Sequence, residues 1–349
     1  MRELILDFST ANERFVSKRS ERYRKAPVDK LVDCLREIPL QALNGFGNLR
    51  SFELRGPTWE VERDRDPLIV RIDMIQHLSE IARSSLRHLP PGKLEGLRLE
   101  MPSTSCLTNV LCDEDVLRAA QGVHSLLLTV CDKSGPGGER FGRLGLFWGE
   151  EAESFPRSTL QRYFPNESFQ TQRFLKSLGQ MHNLRTLSIS ATHFLDLDLL
   201  DSSGLRLLEI LHLSRFKASP KILIDLFSQN RRTLKRVSLQ EIDLKCETWV
   251  PVFLSLLSVE HLEDFAPQCL NYWEHGSSAG YRMEHGRMWE DMCDLESEYD
   301  GDQHALGDLQ RLLRQRWESR GRPRSHCQDV VGESFIDLPS FEEWKSGLV

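Results

Sequence analysis

The segment LRTLSISATHFLDLDLLDSSGLRLLEILHLSRFKASPKILIDLFSQNRRTLKRVSL, residues 184–239, decides the fold. It repeats one pattern, in which an apolar residue is followed by another three positions on and a third two positions later. The three copies are Leu184, Leu187 and Ile189, then Leu208, Leu211 and Leu213, then Leu234, Val237 and Leu239. Their central residues are 24 and 26 positions apart. A unit this short cannot bury its apolar face alone, so successive units must stack on one another.

Weaker copies of the pattern extend in both directions. They are Met1, Leu4 and Leu6; Leu49, Phe52 and Leu54; Leu94, Leu97 and Leu99; Val123, Leu126 and Leu128; and the degraded pair Leu262 and Phe265. Steps of 24, 26 and 28 residues in the second half match the spacing of leucine-rich repeats, about 20 to 29. The steps of 48, 45, 29 and 61 before them leave room for insertions, or for an eroded copy such as Arg143–Trp148.

Helix signals lie between the apolar triplets. Ser219 and Pro220 are a capping residue and a proline at the first helical position, and apolar residues follow at helical spacing. Similar patterns run over 66–86, 166–178 and 249–257. Alternating strands and helices predict the α/β class, as a leucine-rich-repeat-like solenoid, an irregular arc of short parallel strands and helices. We expect this arc to occupy residues 1–273 and to be most regular at 174–265.

The residues between the apolar positions form a candidate binding surface, because side chains alternate between the two faces of a strand. The predicted partner-binding residues on the concave side are Thr186, Ser188, Ser190, His212, Ser214, Arg236, Ser238 and Gln240. The same row includes Ile210 and continues upstream through Gly96, Arg98 and Glu100. The alternative interpretation of any one of them is an ordinary solvated strand position.

The net charge of −7 is concentrated at the C-terminal end. Residues 271–349 contain 16 acidic and 9 basic residues, whereas the preceding part has 36 of each. A balanced repeat region argues against nucleic-acid binding, which needs clustered Lys and Arg. The run from Glu290 to Asp302 contains seven acidic residues and no basic one, and it indicates a solvated, flexible linker at 274–304. A calcium loop is the alternative, but the run lacks that loop's glycine and closing glutamate at the required spacing.

The C-terminal extension, 305–349, begins with a predicted amphipathic helix. Its apolar residues are Leu306, Leu309, Leu312, Leu313 and Trp317, with arginines on the other side. Such a helix can cover the open end of a stacked array, since terminal repeats need a cap. Binding a second protein is the alternative.

Composition indicates a soluble chain that folds inside the cell, in the cytoplasm or nucleus. No apolar run approaches the 18 residues of a membrane span, and the first residues, MRELILDFST, lack the features of a secretory signal. Eight scattered cysteines without a Cys-x-x-Cys pair favour free thiols over disulfides or zinc. They are Cys34, Cys106, Cys112, Cys131, Cys246, Cys269, Cys293 and Cys327.

Catalytic motifs are absent from the sequence: it contains no nucleophile elbow, P-loop, dinucleotide-binding glycine motif or His-Glu-x-x-His. The glycine-rich segment Ser134–Gly142 lacks the lysine of a phosphate-binding loop. Two Glu-His-Gly triplets, at Glu274 and Glu284, could supply metal ligands, but we interpret them as a coincidence of composition in a loop. We therefore expect no enzyme activity, cofactor or metal.

The stretch from LRTLSIS through TLKRVSL to the Trp249 helix resembles the repeat region of fungal F-box-like proteins. Thr233, Leu234, Lys235, Arg236, Val237, Ser238 and Leu239 match the second strand of that region, and Trp249 matches its helix. The resemblance covers about residues 174–265. It implies a substrate-recognition role in a Skp/cullin-type ubiquitin ligase, although no F-box sequence is recognisable in this chain and a Skp-type adaptor would need one.

The expected function is accordingly a non-catalytic scaffold for protein–protein interaction. Two alternatives remain. One is an enzyme whose site converges from the loops between Glu274 and His285 and from the concave strands, with His212 in a deep pocket. The other is a degenerate, truncated paralogue without a defined function.

Overall fold

The computed structural model describes residues 2–8, 38, 47–56, 72–130, 167–274, 277–278, 295, 297 and 299–320. The strands are β1 (Glu3–Asp7), β2 (Ser51–Arg55), β3 (Gly96–Met101), β4 (Ser125–Val130), β5 (Thr186–Asp196), β6 (Ile210–Ala218), β7 (Arg236–Leu244), β8 (Asp264–Glu274) and β9 (Ser277–Ser278). The helices are α1 (Ile72–Leu86), α2 (Thr104–Leu111), α3 (Glu114–Ala120), α4 (Glu167–Leu178), α5 (Pro220–Gln229), α6 (Val250–Leu257) and α7 (Asp300–Ser319).

The strands form one sheet whose spatial order follows the chain from β1 to β9. Strands β1 to β8 pair in parallel, and β9 pairs antiparallel with the end of β8. Parallel neighbours need a crossover between them, and helices provide one between most of the pairs in the described part. The predicted α/β class is confirmed.

Strand register matches the apolar pattern of the sequence. The central residues of the eight copies lie opposite one another across the sheet: Leu4, Phe52, Leu97, Leu126, Leu187, Leu211, Val237 and Phe265. In the last copy the third apolar position is Pro267, paired with Leu239. A proline cannot donate to a ladder, so it is suited to the final parallel strand.

A repeated backbone contact holds the amino ends of the strands. The carbonyl oxygen of the residue immediately before a strand accepts hydrogen bonds from two successive N–H groups of the next copy. The Arg185 carbonyl accepts from Glu209 N at 2.7 Å and Ile210 N at 2.9 Å, and the Glu209 carbonyl accepts likewise from Lys235 and Arg236. The carbonyls that make this contact belong to Arg2, Arg50, Glu95, His124, Arg185, Glu209 and Lys235. The contact therefore fixes the register of each strand at its first residue.

A second repeated feature interrupts β6, β7 and β8 at equivalent positions. Arg215, Glu241 and Cys269 have φ angles of 62°, 50° and 51°, in the left-handed region. The register passes over all three, so that Ser214 pairs with Gln240 before the bulge and Phe216 pairs with Ile242 after it. A left-handed residue other than glycine costs about 1–2 kcal/mol. The bulge returns Phe216 and Ile242 to the buried face, where both are fully buried.

One apolar core underlies the sheet. Seven of the eight central residues and the buried hydrophobic residues of all the described helices belong to the same cluster, and Leu4 is partly buried against it. Helix α5 starts at Pro220, as predicted, although the Ser219 side chain donates to Asp198 and does not cap the helix. Helices α1, α4 and α6 also form within the segments predicted for them.

Helix α7 packs on α6 and on β8, the last of the parallel strands. Leu309 and Leu313 are buried, and the Trp317 indole donates to the Glu263 carbonyl at 2.6 Å. The Arg316 guanidinium donates to two main-chain carbonyls, at 2.9 Å and 3.1 Å. The helix starts at Asp300, inside the segment predicted as a linker at 274–304, while β8 reaches Glu274 at that segment's other end.

Asp302 is an exception to the prediction that the acidic run is solvated. Its side chain is fully buried in the first turn of α7. It accepts hydrogen bonds from Val250 N at 3.0 Å, from Ser297 Oγ at 2.6 Å and from the Tyr272 hydroxyl. One carboxylate therefore caps α6 and ties α7 to β8. Burial and the bond to Asp302 raise the pKa of Tyr272.

Several predicted features lie outside the described residues. They are the candidate copy at Arg143–Trp148, the glycine-rich segment Ser134–Gly142, the triplet at Glu284, the tail 321–349 and most of the acidic run. Within the described part, no helix is both long enough and apolar enough to cross a bilayer.

The row formed by the central apolar residues of the eight copies predicts a large stability loss for Leu211→Ala. Leu211 is 1% exposed, and truncating a fully buried leucine costs about 2–5 kcal/mol in lost transfer energy and cavity formation. The matched control is Leu254→Ala on α6, where the side chain is 55% exposed and we expect about 0.5 kcal/mol or less. Urea denaturation measures both. Equal losses would contradict the assignment of the row to the core.

The α7 attachment predicts that Asp302→Ala loses on the order of 3 kcal/mol, because three donors are left without their acceptor. Asp302→Asn keeps one acceptor oxygen for Val250 N and loses less. Limited proteolysis with mass spectrometry is the second readout, since release of α7 exposes cleavage sites between 300 and 319. Wild-type protection of α7 in the alanine variant would show that the carboxylate does not hold the helix.

Candidate functional site on the open face of the sheet

The face of β1–β8 that points away from the apolar core carries mostly polar side chains, and we name it the polar face. Its three best-aligned rows are Thr186, Ile210, Arg236 and Asp264; Ser188, His212, Ser238 and Ala266; and Ser190, Ser214, Gln240 and Gln268. All eight predicted partner-binding residues lie in these rows, in register on three adjacent strands. The structure thus brings the predicted set together on one surface.

Access to the polar face is uneven. Thr186, Ser188, His212 and Ser214 are each less than 9% exposed. Neighbouring strands lie about 4.8 Å apart, so small side chains are shielded by those beside them. The other four, Ser190, Arg236, Ser238 and Gln240, are partly exposed. Direct contact with a partner therefore falls on these longer or more open positions.

A network of charges occupies the polar face on β1–β3. The Arg55 guanidinium contacts Glu53 at 2.5 Å and Asp7 at 3.3 Å. The Arg98 guanidinium contacts Glu53 at 3.3 Å and Glu100 at 2.6 Å. Glu53 is 1% exposed and lies between both arginines, and its hydrogen bond raises the pKa of Arg55. Breaking one side of such a pair leaves a buried charge unmatched.

The sequence predicted only part of this network. Arg98 and Glu100 were expected on the polar face, and the structure places them there. Glu53 and Arg55 were not recognised, although they alternate with Phe52 and Leu54 of a weak apolar copy. The same alternation rule that located the serines of β5 identifies them. Charged side chains therefore dominate the polar face on β1–β3, whereas on β5–β8 most of the row residues are uncharged, with Arg236 and Asp264 as the exceptions.

A polar ladder crosses the carboxyl ends of β5–β8. Asp196, Lys217, Asp243 and Asn271 pair in sequence across the four strands. Burial lowers the pKa of Lys217, and the carboxylates of Asp243 and Asp196 offset part of that effect. Beside the ladder, Lys245 bonds Asp196 and lies 2.9 Å from Asp198. Burial lowers the pKa of Lys245, but these bonds outweigh it and leave the pKa raised.

His212 is the buried imidazole of the middle row. It is 6% exposed, and burial lowers the pKa of His212 from 6.5 to about 4. Its cross-strand neighbours are Ser188 and Ser238. The imidazole is therefore neutral near pH 7 and adds no charge to the face.

The enzyme alternative requires a loop and a set of catalytic side chains near the concave strands. Most of the loop from Glu274 to His285, which the enzyme alternative required, lies outside the described residues. Among the residues that the structure describes, no three His, Cys, Asp or Glu side chains converge as metal ligands. The cysteines in the described part, Cys106, Cys112, Cys246 and Cys269, form no disulfide with one another.

Comparison of the chain with protein-family models, with curated proteins and with solved structures finds no match. The polar face is therefore characterised by its own geometry alone.

The buried imidazole predicts a pH dependence of stability. Because the pKa of His212 is about 4 when folded and about 6.5 when unfolded, the unfolded chain binds more protons between these values. Stability is full above pH 6.5 and falls as the pH approaches 4, by about 3 kcal/mol for this group. Urea denaturation of the wild type and of His212→Gln at pH 7, 6, 5 and 4 measures it. Parallel curves would contradict burial of the neutral imidazole.

Proposed function

We propose that the chain is a leucine-rich-repeat-like solenoid that acts as a non-catalytic scaffold and binds a protein partner through its polar face. The observation that carries this proposal is the register: eight consecutive copies align one row of apolar residues beneath the sheet. Alternation then necessarily presents a continuous row of other side chains on the opposite face. Stacked repeats commonly use such an extended face for binding.

The dimensions and chemistry of the polar face suit an extended protein segment. Eight strands at about 4.8 Å spacing span about 34 Å, enough for a peptide of about ten residues lying across them. The partly exposed Arg236, Ser238 and Gln240 offer one charge and several hydrogen-bonding groups on a single strand. The charged network at Arg55 and Arg98 sets orientation, because charge complementarity fixes the register of a partner.

The narrower form of the proposal is substrate recognition for a Skp/cullin-type ubiquitin ligase. It rests on the resemblance of residues 174–265 to the repeats of F-box-like proteins. In such an adaptor the repeats hold the substrate and a separate F-box holds the ligase. The polar face is the part of this chain that would hold the substrate.

A site-specific photo-crosslinker at Gln240, on the polar face, tests the binding role. We expect it to capture a discrete partner in cells, whereas the same crosslinker at the exposed Lys221 on α5 captures none of that partner. A second substitution, Arg236→Glu, should reduce capture at Gln240 at least fivefold, because it reverses the charge that a partner meets four positions earlier on the same strand. Equal capture from both positions would contradict a binding role for the polar face.

The ligase role has its own test. Purification of the tagged chain from cells treated with a proteasome inhibitor should recover a Skp-type adaptor and a cullin, and it should enrich the partner captured at Gln240. Recovery of the partner without any ligase subunit would refute the adaptor role and retain the scaffold.

A further inference from the structure

A cleft of about 460 Å³ opens where the segment before β6 meets the end of α5 and the turn before β7. It is lined by Arg206, Ser228, Gln229, Arg231, Arg232 and Thr233. Three of these residues are arginines, two carry hydroxyl groups and one carries an amide. Both segments lie at the amino ends of their strands, none of the six lining residues belongs to the rows of the polar face, and we name this site the arginine cleft.

A buried asparagine fixes the two turns against each other. Asn230, 1% exposed, donates through Nδ2 to the Leu205 carbonyl at 2.7 Å and accepts from Leu208 N at 2.9 Å. These two bonds flank Arg206 on both sides in sequence. The main-chain carbonyl of Asn230 accepts a hydrogen bond from Thr233 N at 3.0 Å, on the turn that carries Arg231 and Arg232. Asn230 thus links the segment of Arg206, through its side chain, to the turn of Arg231 and Arg232, through its main-chain carbonyl.

The arginines have little internal neutralisation. Arg231 and Arg232 approach the same oxygen, Glu260 Oε1, at 3.1 Å and 3.9 Å. Arg206 donates through Nε to the Ser203 carbonyl at 3.0 Å, a neutral partner. Arg231 donates two hydrogen bonds to Glu260 Oε1, at 3.2 Å and 3.1 Å, so in these contacts a single carboxylate serves two of the three guanidinium groups. The side chain of Arg232 is 79% exposed, so much of the charge is directed at solvent.

The lining of the cleft decides the class of ligand. Guanidinium groups bind phosphate and carboxylate through paired N–H donors, and phosphate offers the higher charge and more acceptor oxygens. Sites for nucleotides and similar small molecules are lined mainly by apolar and aromatic side chains. None of the six lining residues is apolar or aromatic. The cleft thus provides for an anionic group and not for a base or ring.

We propose that the arginine cleft binds a phosphorylated side chain on a peptide segment of a partner protein. The phosphate contacts Arg206, Arg231 and Arg232, and the flanking peptide hydrogen-bonds Ser228, Gln229 and Thr233. Recognition of a phosphorylated segment by clustered arginines is an established mode of peptide binding. The site is independent of the polar face, so either proposal stands if the other fails.

Glu260 gives the proposal a gain-of-affinity test. Its carboxylate occupies donors of Arg231 and Arg232 that a phosphate needs. Glu260→Gln removes the competing charge and should tighten phosphopeptide binding about three- to tenfold. An exposed ion pair contributes little to stability, so the variant should remain folded.

The experiment uses fluorescence anisotropy of labelled peptides with a central phosphoserine and randomised flanking residues, at about 0.15 M salt. We expect binding at least tenfold tighter than that of the unphosphorylated peptides. Replacing all three arginines by glutamine should abolish the difference, and Arg232→Gln alone should weaken it about threefold or more. Arg314→Gln, an exposed arginine on α7, is the matched control and should change nothing.

Inorganic phosphate is the competing probe that separates a peptide site from a free-phosphate site. Displacement of the phosphopeptide only at millimolar phosphate supports the proposal, because the peptide then adds binding energy. If inorganic phosphate displaces the phosphopeptide at a phosphate concentration close to the Kd of the phosphopeptide, the proposal is overturned in favour of a free-phosphate site. No difference between phosphorylated and unphosphorylated peptides, or no response to Glu260→Gln and Arg232→Gln, overturns it as well.

Discussion

Burial of one apolar row shared by eight strands is the constraint on which the rest of the structure depends. Each copy contributes a single central residue, and no copy can bury it without the copies on either side. A shift of one residue in any strand would turn its apolar side chains to the polar face and its polar ones to the core. The repeated two-donor bond at each carbonyl before a strand enforces the correct alignment. The strand register therefore determines both which side chains form the core and which form the polar face.

Polar interactions then fix the ends and turns that the apolar row leaves free. Asp302 closes the C-terminal side by accepting three hydrogen bonds from α6, β8 and Ser297. Asn230 joins two successive turns from within. Both side chains are buried with several partners, the arrangement in which polar groups specify a structure most strongly. The binding surfaces proposed above lie on elements that such contacts hold in place.

The sequence predicted the strands well because their signal is local and repeated. Leu187, Leu211 and Val237 recur at nearly constant spacing, and alternation alone then locates Ser188, His212 and Ser238. The left-handed residues Arg215 and Glu241 could not be predicted, since neither is a glycine or an asparagine and nothing else in the sequence marks a bulge. The stability cost of these residues is met by the return of Phe216 and Ile242 to the core.

Burial of individual polar residues was the hardest property to predict. Asp302 lies among seven acids in the sequence and reads as solvated, but packing of α7 on α6 encloses it. His212 and Ser188 read as accessible, but adjacent strands shield them. The arginine cleft requires two turns 25 residues apart to meet, which follows only once the repeat register is known. Local patterns thus define elements, whereas burial depends on what the neighbouring copy places beside each side chain.

The most direct measurement of the shared register is disulfide formation between cysteines introduced on β5 and β6. Ser190 and Ser214 are aligned neighbours on the polar face, so the pair Ser190→Cys and Ser214→Cys should fall within the Cα separation that a disulfide needs, about 4.4–6.8 Å. The control pair, Ser188→Cys and Ser214→Cys, is displaced by two residues along the strand. The account predicts near-complete oxidation of the aligned pair and little of the control, measured by mass spectrometry. Preferential oxidation of the displaced pair would contradict the account, and so would the absence of oxidation in both pairs.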